Sequence, residues 1–129
     1  MPRKTAPATY PPEALAAFES SLRRRRETLA QEVERMESEQ AESSGDISSV
    51  PIHPADLGTE SFDRALSLER IESNREEIRE IEEALERLRA GAYGSCDRCR
   101  RPIPRERLEA IPYARLCLVC KRKEEARKG

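Results

Sequence analysis

Apolar residues recur along the first ninety positions with the period of a helix rather than a strand. Leu15, Leu22, Leu29 and Met36 fall every seven residues, and Phe18 and Val33 widen the stripe. A seven-residue spacing presents one narrow apolar seam to a partner helix. Pro12 suits a first helical turn, where the N–H it lacks has no intrahelical acceptor. The intervening Ala, Glu, Gln and Arg residues are good helix formers. The pattern fades near Gln40-Ala41. A second one runs from about Glu60 to Ala90, with Ile71, Ile78 and Leu85 at the same spacing and Ile81 and Leu88 between them; Phe62, Leu66 and Leu68 extend it backwards. Gly91 is expected to end it, since glycine readily takes the left-handed conformation that closes a helix. About 30 residues of helix span roughly 45 Å.

Residues 42–59 break the period with Ser, Gly and Pro, the composition of a turn region with room for short helical pieces. Two helices of similar length joined by a turn predict an antiparallel coiled-coil hairpin over residues 12–90, with its tip at about 42–59. A turn centred near residue 51 sets Leu15 against Leu88, Leu22 against Ile81 and Met36 against Leu66. It also sets Arg23-Arg24-Arg25-Arg26 against Glu76, Glu77 and Glu80. Each such exposed pair contributes about 0.2–1 kcal/mol, enough to favour one register. This neutralisation also argues against reading the arginine run as a nucleic-acid patch.

Composition narrows the fold class. Charged residues make up 38% of the 129 and aromatics 4%, too little apolar bulk for a large globular core. The class expected is mainly α, a long hairpin attached to a small C-terminal module. The proline-rich residues 1–11 read as a flexible arm. No run of apolar residues is long enough to cross a membrane, and no apolar leader opens the chain, so a cytoplasmic protein is expected. The net charge of −1 is unevenly spread: residues 94–129 hold 11 Lys/Arg against 5 Asp/Glu, and residues 1–93 hold 13 against 20. Two working surfaces with different roles follow from that division.

The most specific signal is Cys96-Asp97-Arg98-Cys99 answered by Cys117-Leu118-Val119-Cys120, the only four cysteines in the chain. Two Cys-x-x-Cys knuckles at this separation can present four thiolates tetrahedrally to one Zn²⁺. Disulfides need an oxidising compartment, a redox Cys-x-x-Cys usually stands alone beside a βαβ pattern, and iron–sulfur sites use other spacings. Four thiolates fill the coordination sphere, so the zinc expected is structural and leaves no position for substrate. The module of residues 91–129 is too small to fold on apolar burial, and zinc supplies most of its folding free energy. Short strands or turns are expected between the knuckles, with Leu108 and Ile111 packed near the metal, and a final helix beginning inside the second knuckle. No nucleophile–base pair, phosphate-cradling glycine loop or open metal position is legible, so no enzyme is expected.

Tyr93-Gly94-Ser95-Cys96-x-x-Cys99, Pro102-Ile103, Arg107-Leu108-Glu109-Ala110-x-Pro112 and Cys117-x-x-Cys120-Lys121 together resemble the DksA/TraR C4-type zinc-finger family. The match is dense over residues 91–122 and looser back to His53; before that only the architecture agrees. The resemblance implies a protein that binds bacterial RNA polymerase and inserts its hairpin tip into the secondary channel to modulate initiation. The best-known members carry Asp-x-x-Asp-x-Ala at the tip, and the matching positions here are His53, Asp56 and Gly58. Only the second aspartate is kept, and the stretch from His53 to Glu60 is similar to the tip of the shorter, stress-associated branch. Asp56 also reads as an N-cap or first-turn charge, with Thr59 as the alternative cap, and His53 as a solvated loop residue. The resemblance further implies a contact of Arg98, Arg100, Arg101 and Lys121 with the polymerase surface. Some members bind guanosine tetraphosphate; the corresponding positions here are Ser73 and Glu80, which cannot pair with phosphate, beside a matching Lys121, so a weak or absent response is expected. Two other functions remain open from sequence. One is a zinc-ribbon nucleic-acid binder using the basic residues of the module, without an aromatic stripe for stacking. The other is a coiled-coil adaptor that dimerises through its helices, whereas the leading reading expects a monomer.

Overall fold

The structure, a computed structural model, describes residues 10–46 and 54–128, with side chains described over 10–42 and 60–127. These residues form α1 (Pro12–Asp46), α2 (Pro54–Ala90), α3 (Arg105–Ala110) and α4 (Leu118–Lys128). The only strand-like pairing among them is an isolated antiparallel bridge between Ser95 and Pro102. No described helix is long and apolar enough to cross a membrane. The chain divides into two compact units, one made of Met1–Arg26 with Glu80–Gly129 and the other of Glu27–Arg79.

Both long helices exceed their apolar pattern. α1 continues past Gln40-Ala41 through Gly45 to Asp46, and α2 begins at Pro54 rather than near Glu60. The backbone from Glu42 to Asp46 and from Pro54 to Thr59 is therefore helical, as the short helical pieces allowed for in the turn region. Pro54 suits the first position of α2, and adding a residue to an existing helix needs no new nucleus, so α1 runs on past its apolar seam. At its other end α2 closes as expected. Gly91 takes φ 78°, its N–H donates to Leu88 O at 3.2 Å, and the Ala92 N–H reaches Arg87 O at 2.8 Å. That pair of bonds is the Schellman closure, and only glycine reaches its geometry without strain.

In the Glu27–Arg79 unit the helices run antiparallel. Asn74 Nδ2 donates to Glu32 Oε1 at 3.2 Å, and Arg75 pairs with Glu37. Further along α1, Glu39 and Gln40 border Glu60 and Asp63. Val33, Met36 and Ile71 form a buried cluster with Ile78 packed against it. Leu66 borders Met36 as the register predicts, but it remains 48% exposed, and Phe62 and Leu68 are 64% and 52% exposed. The apolar stripe of α2 thus stops being a core face before its pattern ends. Ile71, not Leu66, joins Met36 in the buried cluster.

In the other unit Phe18, Leu22, Ile81, Ala84 and Leu85 are buried, while Leu15 and Leu88 border one shallow groove. Within the tetra-arginine run, two side chains bond their own helix. Arg23 bonds Glu19 at 2.8 Å and Arg24 bonds Ser20 at 2.9 Å, both one turn back on α1. In the Glu27–Arg79 unit, Glu76 pairs with Arg79 of its own helix. Neighbours at three or four residues lie within reach with less ordering of the side chain than a partner on another helix requires. Tyr10 was read as part of the free arm and is instead held in place. Its ring meets Phe18 edge-on at 5.8 Å, and its hydroxyl donates to Ile103 O.

Candidate metal centre

Two loops carry the four cysteines. The first begins after Gly94, whose φ of 91° turns the chain. The Ile103 N–H donates to Gly94 O at 2.7 Å and the Cys96 N–H to Arg101 O at 2.8 Å, closing a narrow loop. At its tip the Cys99 N–H points at Cys96 Sγ, 3.5 Å away. Arg100, just after Cys99, holds φ 68° while its N–H donates to Cys96 O at 2.9 Å. The second knuckle is the start of α4, where the Lys121 N–H donates to Cys117 O at 2.9 Å. Between the knuckles the expected strand-like pairing and turn are present, as the bridge at Pro102 and the turn at Pro112-Tyr113, and between them lies α3, a six-residue helix that was not expected. Leu108 on α3 is fully buried and Ile111 half-buried.

All four sulfur atoms lie within 4.8 Å of one another, and Cys99 Sγ is 3.8 Å from Cys117 Sγ. A tetrahedron of Zn–S bonds of about 2.3 Å has edges of about 3.8 Å, so the cluster fits zinc with little adjustment. Cys96 and Cys120 are buried and Cys99 is exposed. Burial pushes the Cys96 thiol up, but backbone N–H groups of Cys99, Cys117 and Arg98 outweigh it and bring it down to about 6. Cys120 is pushed up to about 12, first by burial and then by hydrogen bonding with Cys117, Cys96 and Cys99. Four thiolates this close repel, and a divalent cation at their centre relieves that repulsion. One structural zinc held by Cys96, Cys99, Cys117 and Cys120 follows.

Side chains outside the knuckles hold the module. Tyr93 is buried with its ring 5.5 Å from that of Phe18, and burial raises its pKa. The Arg105 guanidinium lies 5.8 Å from the centre of the Phe18 ring. Gly94 is required twice: a Cβ there meets the Tyr10 ring at 3.0 Å, and its φ is positive. Arg98, Arg100 and Arg101 are exposed on the first loop, and Lys121 is half-buried 4.0 Å from Glu125. Arg115, 3.8 Å from Asp97 and 3.3 Å from Glu124, ties α4 to the first knuckle. The centre brings together the cysteines and these cations. The tip residues are elsewhere in sequence and in the other unit: Asp56 and Gly58 belong to the helical backbone of α2, and His53 lies outside the described residues. Asp56 is the third residue of α2, a first-turn position, and Thr59, inside the helix, is not its cap.

Fold and centre together define a helical protein with a structural four-cysteine zinc finger. Residues 91–126 match the family model of the prokaryotic DksA/TraR C4-type zinc finger. General stress protein 16O of Bacillus subtilis is 42% identical over 76 residues, 58% of this chain and 47% of that protein. The RNA polymerase-binding transcription factor DksA of Haemophilus influenzae is 38% identical over 74 residues, 57% of this chain and 51% of that one. The matching stretch thus spans about half the length of these curated relatives. The solved structure of transcription factor DksA2 from Pseudomonas aeruginosa superposes with a TM-score of 0.73 at 32% identity, over 88% of this chain and 84% of that one. This chain belongs to the DksA/TraR family of C4-type zinc-finger proteins.

Proposed function

We propose that this protein binds bacterial RNA polymerase and regulates transcription initiation, with the segment joining α1 and α2 entering the secondary channel. The observation that carries this reading is the likeness to a transcription factor structure over 84% of that chain, helices and zinc module together. In this reading Asp56, flanked by His53 and Gly58, faces the polymerase active centre. Arg98, Arg100, Arg101 and Lys121 meet the polymerase surface outside the channel. The protein acts as a cytoplasmic monomer and not as an enzyme; any chemistry at Asp56 belongs to the polymerase. Ser73 and Glu80 offer no cation to a phosphate, so guanosine tetraphosphate has little effect; a transcriptional response enhanced by adding it would refute that part.

The test is binding of the zinc-loaded protein to core RNA polymerase, with a known secondary-channel factor as competitor. Displacement by the competitor supports the channel; binding without displacement moves the site elsewhere; no binding at micromolar protein removes the partner. Asp56→Ala then separates the tip from the rest. A lower transcriptional effect with unchanged helicity and polymerase binding gives Asp56 its role, and an unchanged effect reduces it to a first-turn charge. The exposed arginines of the first loop favour one rival, a direct nucleic-acid contact. Salt-sensitive binding to free duplex DNA at physiological ionic strength supports the rival.

A further inference from the structure

Residues 111–117, which lead into the second knuckle, have no regular secondary structure. Their carbonyl groups therefore need donors from elsewhere, because a buried carbonyl left without one is costly. Five in a row have them. Pro112 O accepts from Tyr93 Oη at 2.7 Å. Tyr113 O and Ala114 O accept from Arg87 Nη2 at 3.2 and 3.5 Å. Arg115 O accepts from the Asp97 N–H at 2.8 Å, and Leu116 O from Arg107 Nε at 2.9 Å. The next residue is the metal ligand Cys117.

Arg87 stands apart among these donors. It sits on the last turn of α2 and reaches two consecutive carbonyls. Burial lowers its pKa, although Asp97 and Glu83 act to raise it. A cation held against carbonyl groups in a half-buried place is not a general surface arginine. Ala114 and Leu116 within this stretch are buried.

We infer that Arg87 is a positioning residue for the zinc: by holding the carbonyls of Tyr113 and Ala114 it presets the approach to Cys117, so that the second pair of thiolates meets the first in tetrahedral register. The same contact runs in reverse. Zinc that fixes Cys117 also fixes the partner of Arg87, and hence the end of α2, because a coupling between two sites is reciprocal. Tyr93 and Arg107 do the same for the neighbouring carbonyls and share the task.

The test uses the full chain with Arg87→Met, Arg87→Lys, Tyr93→Phe and, as a control, Arg89→Met, since Arg89 pairs only with exposed Glu86 in the same helix. Zinc affinity is read by competition with a chromogenic chelator, geometry by the visible absorption of the cobalt(II)-loaded protein, and helix content by far-ultraviolet circular dichroism. Arg87→Met is expected to weaken zinc binding about 10- to 100-fold, the range for residues that orient metal ligands, with an altered cobalt spectrum and unchanged helix content when loaded. Arg87→Lys recovers part of the loss because it keeps the charge and one bond. Arg89→Met changes nothing. Zinc affinity of Arg87→Met within twofold of the parent overturns the inference. So does weaker binding with an unchanged cobalt spectrum and lower helix content, which is ordinary destabilisation. Should Arg87→Met not fold even with zinc, Tyr93→Phe decides, since it removes a single hydroxyl: a few-fold weaker binding supports the clamp, and none overturns it.

Discussion

Between Glu27 and Arg79 the paired helices are held by a short apolar cluster, Val33, Met36 and Ile71, with ion pairs on their exposed faces. The unit of Met1–Arg26 and Glu80–Gly129 is held by other means: a four-thiol centre, the edge-on and tilted ring contacts of Tyr10, Phe18 and Tyr93, and side chains bonded to loop carbonyls. Charge divides the same way. Residues 27–79 carry 14 Asp/Glu and 5 Lys/Arg, against 11 and 19 in the rest of the chain. A helix pair can keep a large charge excess because its side chains stay in water, where repulsion is screened over about 8 Å at physiological salt. An irregular loop of similar size has no intrahelical bonds to fall back on. It needs a metal and dedicated donors.

The comparison breaks first at the metal. Zinc binding contributes on the order of 10–16 kcal/mol to modules of this kind. Chelation should therefore abolish the near-ultraviolet signal of Tyr93 and Tyr113 while most of the far-ultraviolet helix signal of α1 and α2 survives. Loss of both signals together would mean that the two units are one cooperative structure.

Core truncation comes next. Leu22, Ile81 and Leu108 are fully buried, whereas the Glu27–Arg79 cluster is thin and reaches solvent. Leu108→Ala or Leu22→Ala should cost about 3–5 kcal/mol, and Val33→Ala nearer 2, because cost rises with the cavity left behind. Thermal melting of the three zinc-loaded variants checks the order. An equal loss in all three would erase the distinction drawn between the units.

A smaller effect sharpens the role of the aromatic contacts. Gly94→Ala meets both a positive φ and the Tyr10 ring, and should cost about 1–2 kcal/mol from the backbone alone. Repeating it on a Tyr10→Ala background removes the ring and leaves only the backbone cost. A difference between the two backgrounds measures the contact, and no difference means that Tyr10 does not dock in solution. The smallest effect is expected on the helix surface. Arg75→Ala, which removes the pair with Glu37, should shift stability by less than about 0.5 kcal/mol, and less still at high salt.

Some of this was legible in the chain because its cause is local. The helical period, the glycine that closes α2, and the four cysteines with their spacing all express geometry within a few residues, so α1, α2 and the zinc ligands can be read off directly. The short α3 was missed because a six-residue helix between prolines has too few turns to show a period. The extent of the helical ends around residues 42–46 and 54–59 was not legible, because helix can continue after an apolar seam stops. Tyr10 gave a faint signal, an aromatic among prolines in a chain with few aromatics. Arg87 gave none, since nothing in sequence separates it from the solvated arginines beside it.

The sequence by itself determined which residues bind the metal and that two long helices precede them, because those follow from ligand chemistry and from an apolar period carried by hydrogen bonds closed within one turn. Tertiary structure alone decided that Ile71 joins Val33 and Met36 in the buried cluster, that Leu66, Phe62 and Leu68 stay exposed, and that Tyr10 and Arg87 reach carbonyls of the zinc module. Burial and long-range donors depend on which surfaces come within contact distance. That distance is set by the packing of the folded chain and not by any residue's neighbours in sequence.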